Sequence, residues 1–110
     1  DLASLIDDVR LKTSTRLKQD IFEEYIKNNK KINIENFKND FEILSVLRNL
    51  KIIGIFTRLS IRDNKKNYLK LIPYAWKLIE LRTEKNKKFI ELKTILDKYF
   101  SKKKRNKYEN

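Results

Sequence analysis

The apolar residues of this chain recur at helical spacing almost from end to end. Leu2, Leu5, Ile6 and Val9 stand at i, i+3, i+4 and i+7, which predicts a short helix within residues 1–10. Lys12-Thr13-Ser14-Thr15 is a polar break, and Ser14 or Thr15 is suited to cap the next helix. That second helix is predicted over Arg16–Asn28, with Leu17, Ile21, Phe22, Tyr25 and Ile26 facing inward. Asn33 then reads as an N-cap, with Glu35 in the first turn where it favours the helix dipole. The pattern Phe37, Phe41, Leu44, Leu47 runs on without a breaker to Arg62. An unbroken helix there would hold about 28 residues and measure roughly 42 Å; a kink near Asn49 or Gly54 is the alternative.

Residues 63–67 read as a turn. A fourth helix is predicted over about 68–82, carrying Leu69, Ile72, Trp76 and Ile79 inward. Pro73 is tolerated if regular helix begins only shortly before it. Asn86 is suited to cap a fifth helix to about Phe100, with Phe89, Leu92, Ile95, Leu96 and Tyr99 inward. The expected class is all-α: about five helices around one long central one. Ile52–Phe56 is the main competitor, because β-branched runs also suit strands.

The stretch Arg48–Leu59 differs from an ordinary surface helix. At 100° per residue, with Arg48 at zero, Lys51, Arg58 and Arg62 fall at about 300°, 280° and 320°. Leu47, Leu50, Ile52, Ile53, Phe56 and Leu59 occupy most of the remaining circumference. A helix with that proportion is expected to lie inside a larger body. The single glycine, Gly54, costs about 0.5–1 kcal/mol in mid-helix, so close approach of another backbone is expected there. The cationic strip Arg48, Lys51, Arg58, Arg62 is then expected at the edge of the core, facing carboxylates or a cleft.

The string Arg48-Asn49-Leu50-Lys51, Gly54-Ile55-Phe56, Arg58-Leu59, Arg62-Asp63-Asn64-Lys65, Tyr68-Leu69, Ile72-Pro73 and Trp76 resembles the C-terminal end of an aminoglycoside-phosphotransferase-like (choline-kinase-like) small-molecule kinase. The nearest branch is the bacterial cell-wall amino-sugar kinases. Asp1-Leu2-Ala3-Ser4-Leu5-Ile6-Asp7-Asp8-Val9-Arg10 is similar to a second segment of the same family, in the same order and at similar separation. The resemblance covers roughly residues 1–82. The family's Asp-Gly-Lys turn reads Asp63-Asn64-Lys65 here, and Asn tolerates the left-handed backbone that Gly supplies.

The resemblance implies the helical end of the larger lobe of a protein-kinase-like fold, in a protein that transfers a phosphoryl group from ATP, with Mg²⁺, to a small hydroxyl acceptor such as an amino sugar. In such kinases the nucleotide-binding lobe, the catalytic His-Gly-Asp loop and the metal-binding aspartate lie upstream of the matching region. This sequence has no histidine and one glycine, so it holds neither that loop nor a glycine-rich phosphate cradle. The expectation is a substrate-side helical piece over residues 1–100, inactive alone, with residues 101–110 as a disordered basic tail. In the complete protein Arg48, Lys51, Arg58 and Arg62 would contact the acceptor. No catalytic, cofactor-binding or metal-binding residue is expected in this chain.

Charge changes this picture little. The 110 residues carry a formal net charge of +12. Residues 1–60 hold 11 cations against 9 anions, and residues 61–110 hold 16 against 6. The excess gathers in Lys102-Lys103-Lys104-Arg105 and Lys107, where a solvated tail is the simpler reading than a binding arm. A basic nucleic-acid-binding module remains the alternative, and a non-enzymatic helical interaction domain a third. Against the former, the cations of the long helix lie on an otherwise apolar element. There is no cysteine, no signal peptide and no run of about 18 apolar residues, so the default location is the cytoplasm, without a membrane partner.

The remaining candidates have competing readings. Adjacent Asp7 and Asp8 would point about 100° apart on a helix, so they are poorly placed to share one ion; one is expected to face solvent or an arginine. The strip cations could equally pair with Asp7, Asp8 or Asp63 and serve packing. Trp76 and Tyr68 could stack on a sugar ring, but at helical spacing they read first as core.

Overall fold

The computed structural model describes residues 2–29 and 31–108. Among the described residues six α-helices follow one another: α1 (Leu2–Ile6), α2 (Thr15–Lys27), α3 (Ile34–Arg62), α4 (Ile72–Thr83), α5 (Ile90–Tyr99) and α6 (Lys102–Arg105). Short 3-10 segments, Lys66–Leu71 and Lys87–Phe89, lead into α4 and α5. There is no strand among the described residues, Ile52–Phe56 included.

The caps explain where the helices begin. Ser14 accepts the Leu17 N–H at 3.0 Å, and Asn33 accepts the Asn36 N–H at 3.1 Å. Each side-chain oxygen takes one of the amide donors that a helix start leaves unpaired. Pro73 sits in the first turn of α4, where its missing N–H costs nothing. The residues before it form 3-10 helix instead of the regular helix predicted from about 68. At the far end of α3, Asn64 adopts φ 55° and the Lys65 N–H donates to the Leu59 carbonyl at 3.0 Å, turning the chain sharply.

α3 is continuous for 29 residues, about 43 Å of rise, and sets the longest dimension of the 46 × 27 × 22 Å molecule. Two apolar clusters lie along it. Near its start, Phe41 packs with Ala3, Ile6 and Phe22, with Phe37 stacked 5.7 Å from Phe22. Further along, Val46 joins Ile72, Trp76 and Ile79 of α4, Phe89 of the 3-10 segment before α5, and Leu96 of α5. The Phe56 and Tyr68 rings meet at 5.0 Å beside that cluster.

Several residues predicted inward are exposed: Leu5, Leu17, Tyr25, Leu44, Leu47, Ile95 and Tyr99. Neighbouring elements cover only one side of each helix here, so the apolar arc written into the sequence is wider than the arc that is packed. The same cause corrects the expectation for Gly54. An added Cβ there would meet nothing within 4 Å among the described residues, so none of their backbone approaches it.

In the basic segment Lys102, Lys103, Lys104 and Lys107 are exposed, and Arg105 departs from the solvated reading. Residues 102–105 form α6, and Arg105 is 6% exposed. Its guanidinium lies 4.7 Å from the centre of the Trp76 ring and donates to Glu80, Asp97 and the Phe100 carbonyl. One arginine with four partners outweighs the repulsion of its lysine neighbours. Residues 109 and 110 lie outside the described set.

Candidate functional site

The cationic strip lies on the bare side of α3. On the same wheel Leu44, Leu47, Gly54 and Ile61 fall at about 320°, 260°, 240° and 220°, interleaved with Lys51, Arg58 and Arg62. All seven are exposed, Ile61 by 81%. The opposite arc carries buried Phe41, Ser45, Val46, Asn49 and Ser60, which face the rest of the chain. α3 is therefore packed on one side, and the strip runs down the middle of the uncovered side.

The four cations have different surroundings. Arg62 pairs with its neighbour Asp63 at 3.2 Å, with two-thirds of its side chain exposed. Lys51 and Arg58 are exposed and have no ion pair among the described residues. The carboxylate expected beside each cation is therefore missing at these two among the described residues, on a face of α3 where Leu44, Leu47 and Ile61 are exposed as well. Arg48 is half-buried at the edge of the strip, and its Nε is buried without a hydrogen-bond partner among the described residues. Asp8 lies close enough to feel its charge. The Arg10 side chain hydrogen-bonds Asp8 and, against slight desolvation, holds the carboxyl below its usual range; Arg48 adds to that effect.

Asp7 has another role. It is wholly buried at the junction of four helices. Arg82 of α4 donates to it twice, Ser45 of α3 donates at 2.5 Å, and Lys18 of α2 brings its ammonium to 3.4 Å. Lys18 is buried too and donates to the Ile6 carbonyl at 2.7 Å. Burial alone would raise the Asp7 carboxyl, but hydrogen bonds from Arg82 and Ser45 and the charges of Arg82 and Lys18 outweigh it, and its affinity for a proton falls. The node binds α1 to α2, α3 and α4 and fixes residues 7–10 against the strip helix. Sequence spacing gave no sign of it, since Asp7 and Arg82 are 75 positions apart.

Trp76 is buried, as core packing predicted. Tyr74 is half-buried, with its hydroxyl accepting the Thr13 N–H at 3.4 Å and the Lys12 ammonium 5.7 Å from its ring centre. No group of three or more His, Cys, Asp or Glu that could hold a metal ion occurs among the described residues.

Over 99 residues the chain is 28% identical to an N-acetylmuramate/N-acetylglucosamine kinase of Caulobacter vibrioides, covering 90% of this chain and 27% of that protein. It is 34% identical over 62 residues to a Pseudomonas aeruginosa kinase of the same name, covering 56% of this chain and 18% of that one. The chain is related to amino-sugar kinases. It spans about a quarter of the Caulobacter relative and under a fifth of the Pseudomonas one. No protein-family model and no solved structure matches it. No helix among the described residues is long and apolar enough to cross a membrane.

Proposed function

We propose that this chain is the C-terminal, substrate-side helical part of an ATP-dependent phosphotransferase of aminoglycoside-phosphotransferase-like fold, acting on the hydroxyl of an amino sugar. The observation that carries the reading is the similarity to two kinases of that specificity, over most of this chain and a small part of theirs. The bare side of α3 supports it. A helix that exposes Leu44, Leu47 and Ile61 between cations presents a surface suited to a further folded body. In the complete protein that body would be the nucleotide-binding and catalytic portion, and ATP and Mg²⁺ would be held there.

In this reading Arg48, Lys51, Arg58 and Arg62 line the seam between the two parts. Phosphoryl transfer places negative charge on the transferred group and its bridging oxygens. Arginines at the seam supply fixed, forked donors to an acceptor oxygen or a product phosphate.

Substitution in the complete kinase tests the assignment. Arg48→Ala or Arg58→Ala should raise the acceptor KM or lower kcat by about tenfold or more, with the KM for ATP little changed. Normal acceptor kinetics in both variants would reduce the strip to packing.

A further inference from the structure

The cleft between α4, α5 and α6 is untouched by the kinase reading and contains none of the strip residues. Its volume of about 440 Å³ lies within the roughly 300–1,000 Å³ of clefts that hold small molecules. Its polar edge is braced from beneath by Arg105. That side chain is 7% exposed; it donates Nη1 to Glu80 Oε2 at 2.7 Å and Nη2 to Asp97 Oδ1 at 3.0 Å. Its Nε is spent on the Phe100 carbonyl at 2.6 Å.

The brace fixes the two carboxylates without using them up. Glu80 and Asp97 stay 42% and 49% exposed. An ionised carboxylate has about four acceptor sites, so each keeps lone pairs free for further donors. Lys93 takes the second oxygen of Asp97 at 2.9 Å and steadies it further. Ile79, Leu96 and Phe100 give the cleft an apolar wall.

Charge selects the class of ligand. Glu80, Glu84 and Asp97 are balanced by Lys93, Lys102 and Arg105, so the lining is formally neutral. Neither an anion nor a cation finds an excess of opposite charge in the lining. A neutral molecule with several hydroxyl donors and one apolar face finds both of its partners. We propose that this cleft binds a neutral ring polyol of monosaccharide size. Its hydroxyls donate to Asp97, Glu80 and Glu84, and its C–H face lies along Phe100 and Leu96.

Trp76, the only tryptophan, reports on the cleft directly, because it touches both Arg105, whose guanidinium lies over its ring, and Phe100, whose ring meets it at a tilt with centres 4.9 Å apart. The test is a fluorescence titration of the full chain with N-acetylglucosamine and with glucose, beside inorganic phosphate and spermidine as charged probes. A saturable change with a sugar, weakened about tenfold by Asp97→Asn and measurably by Glu84→Gln, is expected. Glu84 has no ion pair among the described residues, so its variant keeps the fold even if Asp97→Asn does not; circular dichroism checks both. No saturation with either sugar would overturn the proposal. Equal binding by a folded Glu84→Gln and a folded Asp97→Asn, or saturation by phosphate or spermidine alone, would also overturn it.

Discussion

Arg82 holds Asp7 with two parallel hydrogen bonds, Nε to Oδ2 at 2.7 Å and Nη2 to Oδ1 at 2.9 Å. The carboxylate is fully buried and the guanidinium nearly so. Such a pair adds little over apolar residues of the same shape, but removing one partner strands a charge in a dry site. Asp7→Ala should therefore lower the unfolding free energy by about 3–5 kcal/mol, since it orphans both Arg82 and Lys18. Urea denaturation followed by circular dichroism measures this. A loss within the small range of surface substitutions would show that the node is solvated.

The same node sets the response to acid. The folded Asp7 carboxyl binds its proton less readily than in the unfolded chain. Its contribution is complete above the unfolded pKa of about 3.9 and is lost as pH falls through the lower folded value. Denaturation midpoints should be flat in this component from neutral pH to about 5 and drop below about 4. Asp7→Asn should remove that part of the drop. An unchanged acid limb in the variant would assign it to other carboxylates.

Gly54 distinguishes the bare face from a covered one. With nothing within 4 Å of an added Cβ, Gly54→Ala should stabilise the isolated chain by about 0.5–1 kcal/mol through helix propensity. In a longer kinase whose second part packs closely on α3, the same substitution should lose that gain. A destabilised Gly54→Ala in the isolated chain would mean that α3 is covered there too, for instance by self-association.

The turn after α3 makes a sharper local claim. Asn64 holds a positive φ that β-branched residues avoid. Asn64→Val should cost about 1–2 kcal/mol, whereas Asn64→Gly should be close to neutral, as the thermal midpoints of the two variants would show.

Much of this fold was legible in the sequence because its signals are local. Ser14 and Asn33 announce helix starts by side-chain chemistry, Asn64 announces a left-handed turn, and the spacing of Phe41, Trp76 and Ile79 marks the core. What escaped was set by partners distant in sequence. Nothing around Asp7 indicates that Arg82 and Lys18 converge on it. Arg105 looked like one more residue of a solvated run until Trp76, Glu80 and Asp97 were placed around it. The apolar arc of α3 read as buried all round because periodicity reports what a surface is made of, not what covers it. For the same reason the strip could be located by angle, while the exposure of Lys51 and Arg58 could not.

The most direct test of the account is an assay of ATP-dependent phosphorylation of N-acetylglucosamine and N-acetylmuramate in the presence of Mg²⁺. It compares the 110-residue chain with the product of the same reading frame extended upstream of Asp1. The account predicts an in-frame His-Gly-Asp segment upstream, turnover by the extended product, and none by the chain alone. Turnover by the 110 residues alone would contradict it, as would an extended product that lacks that segment or phosphorylates neither sugar.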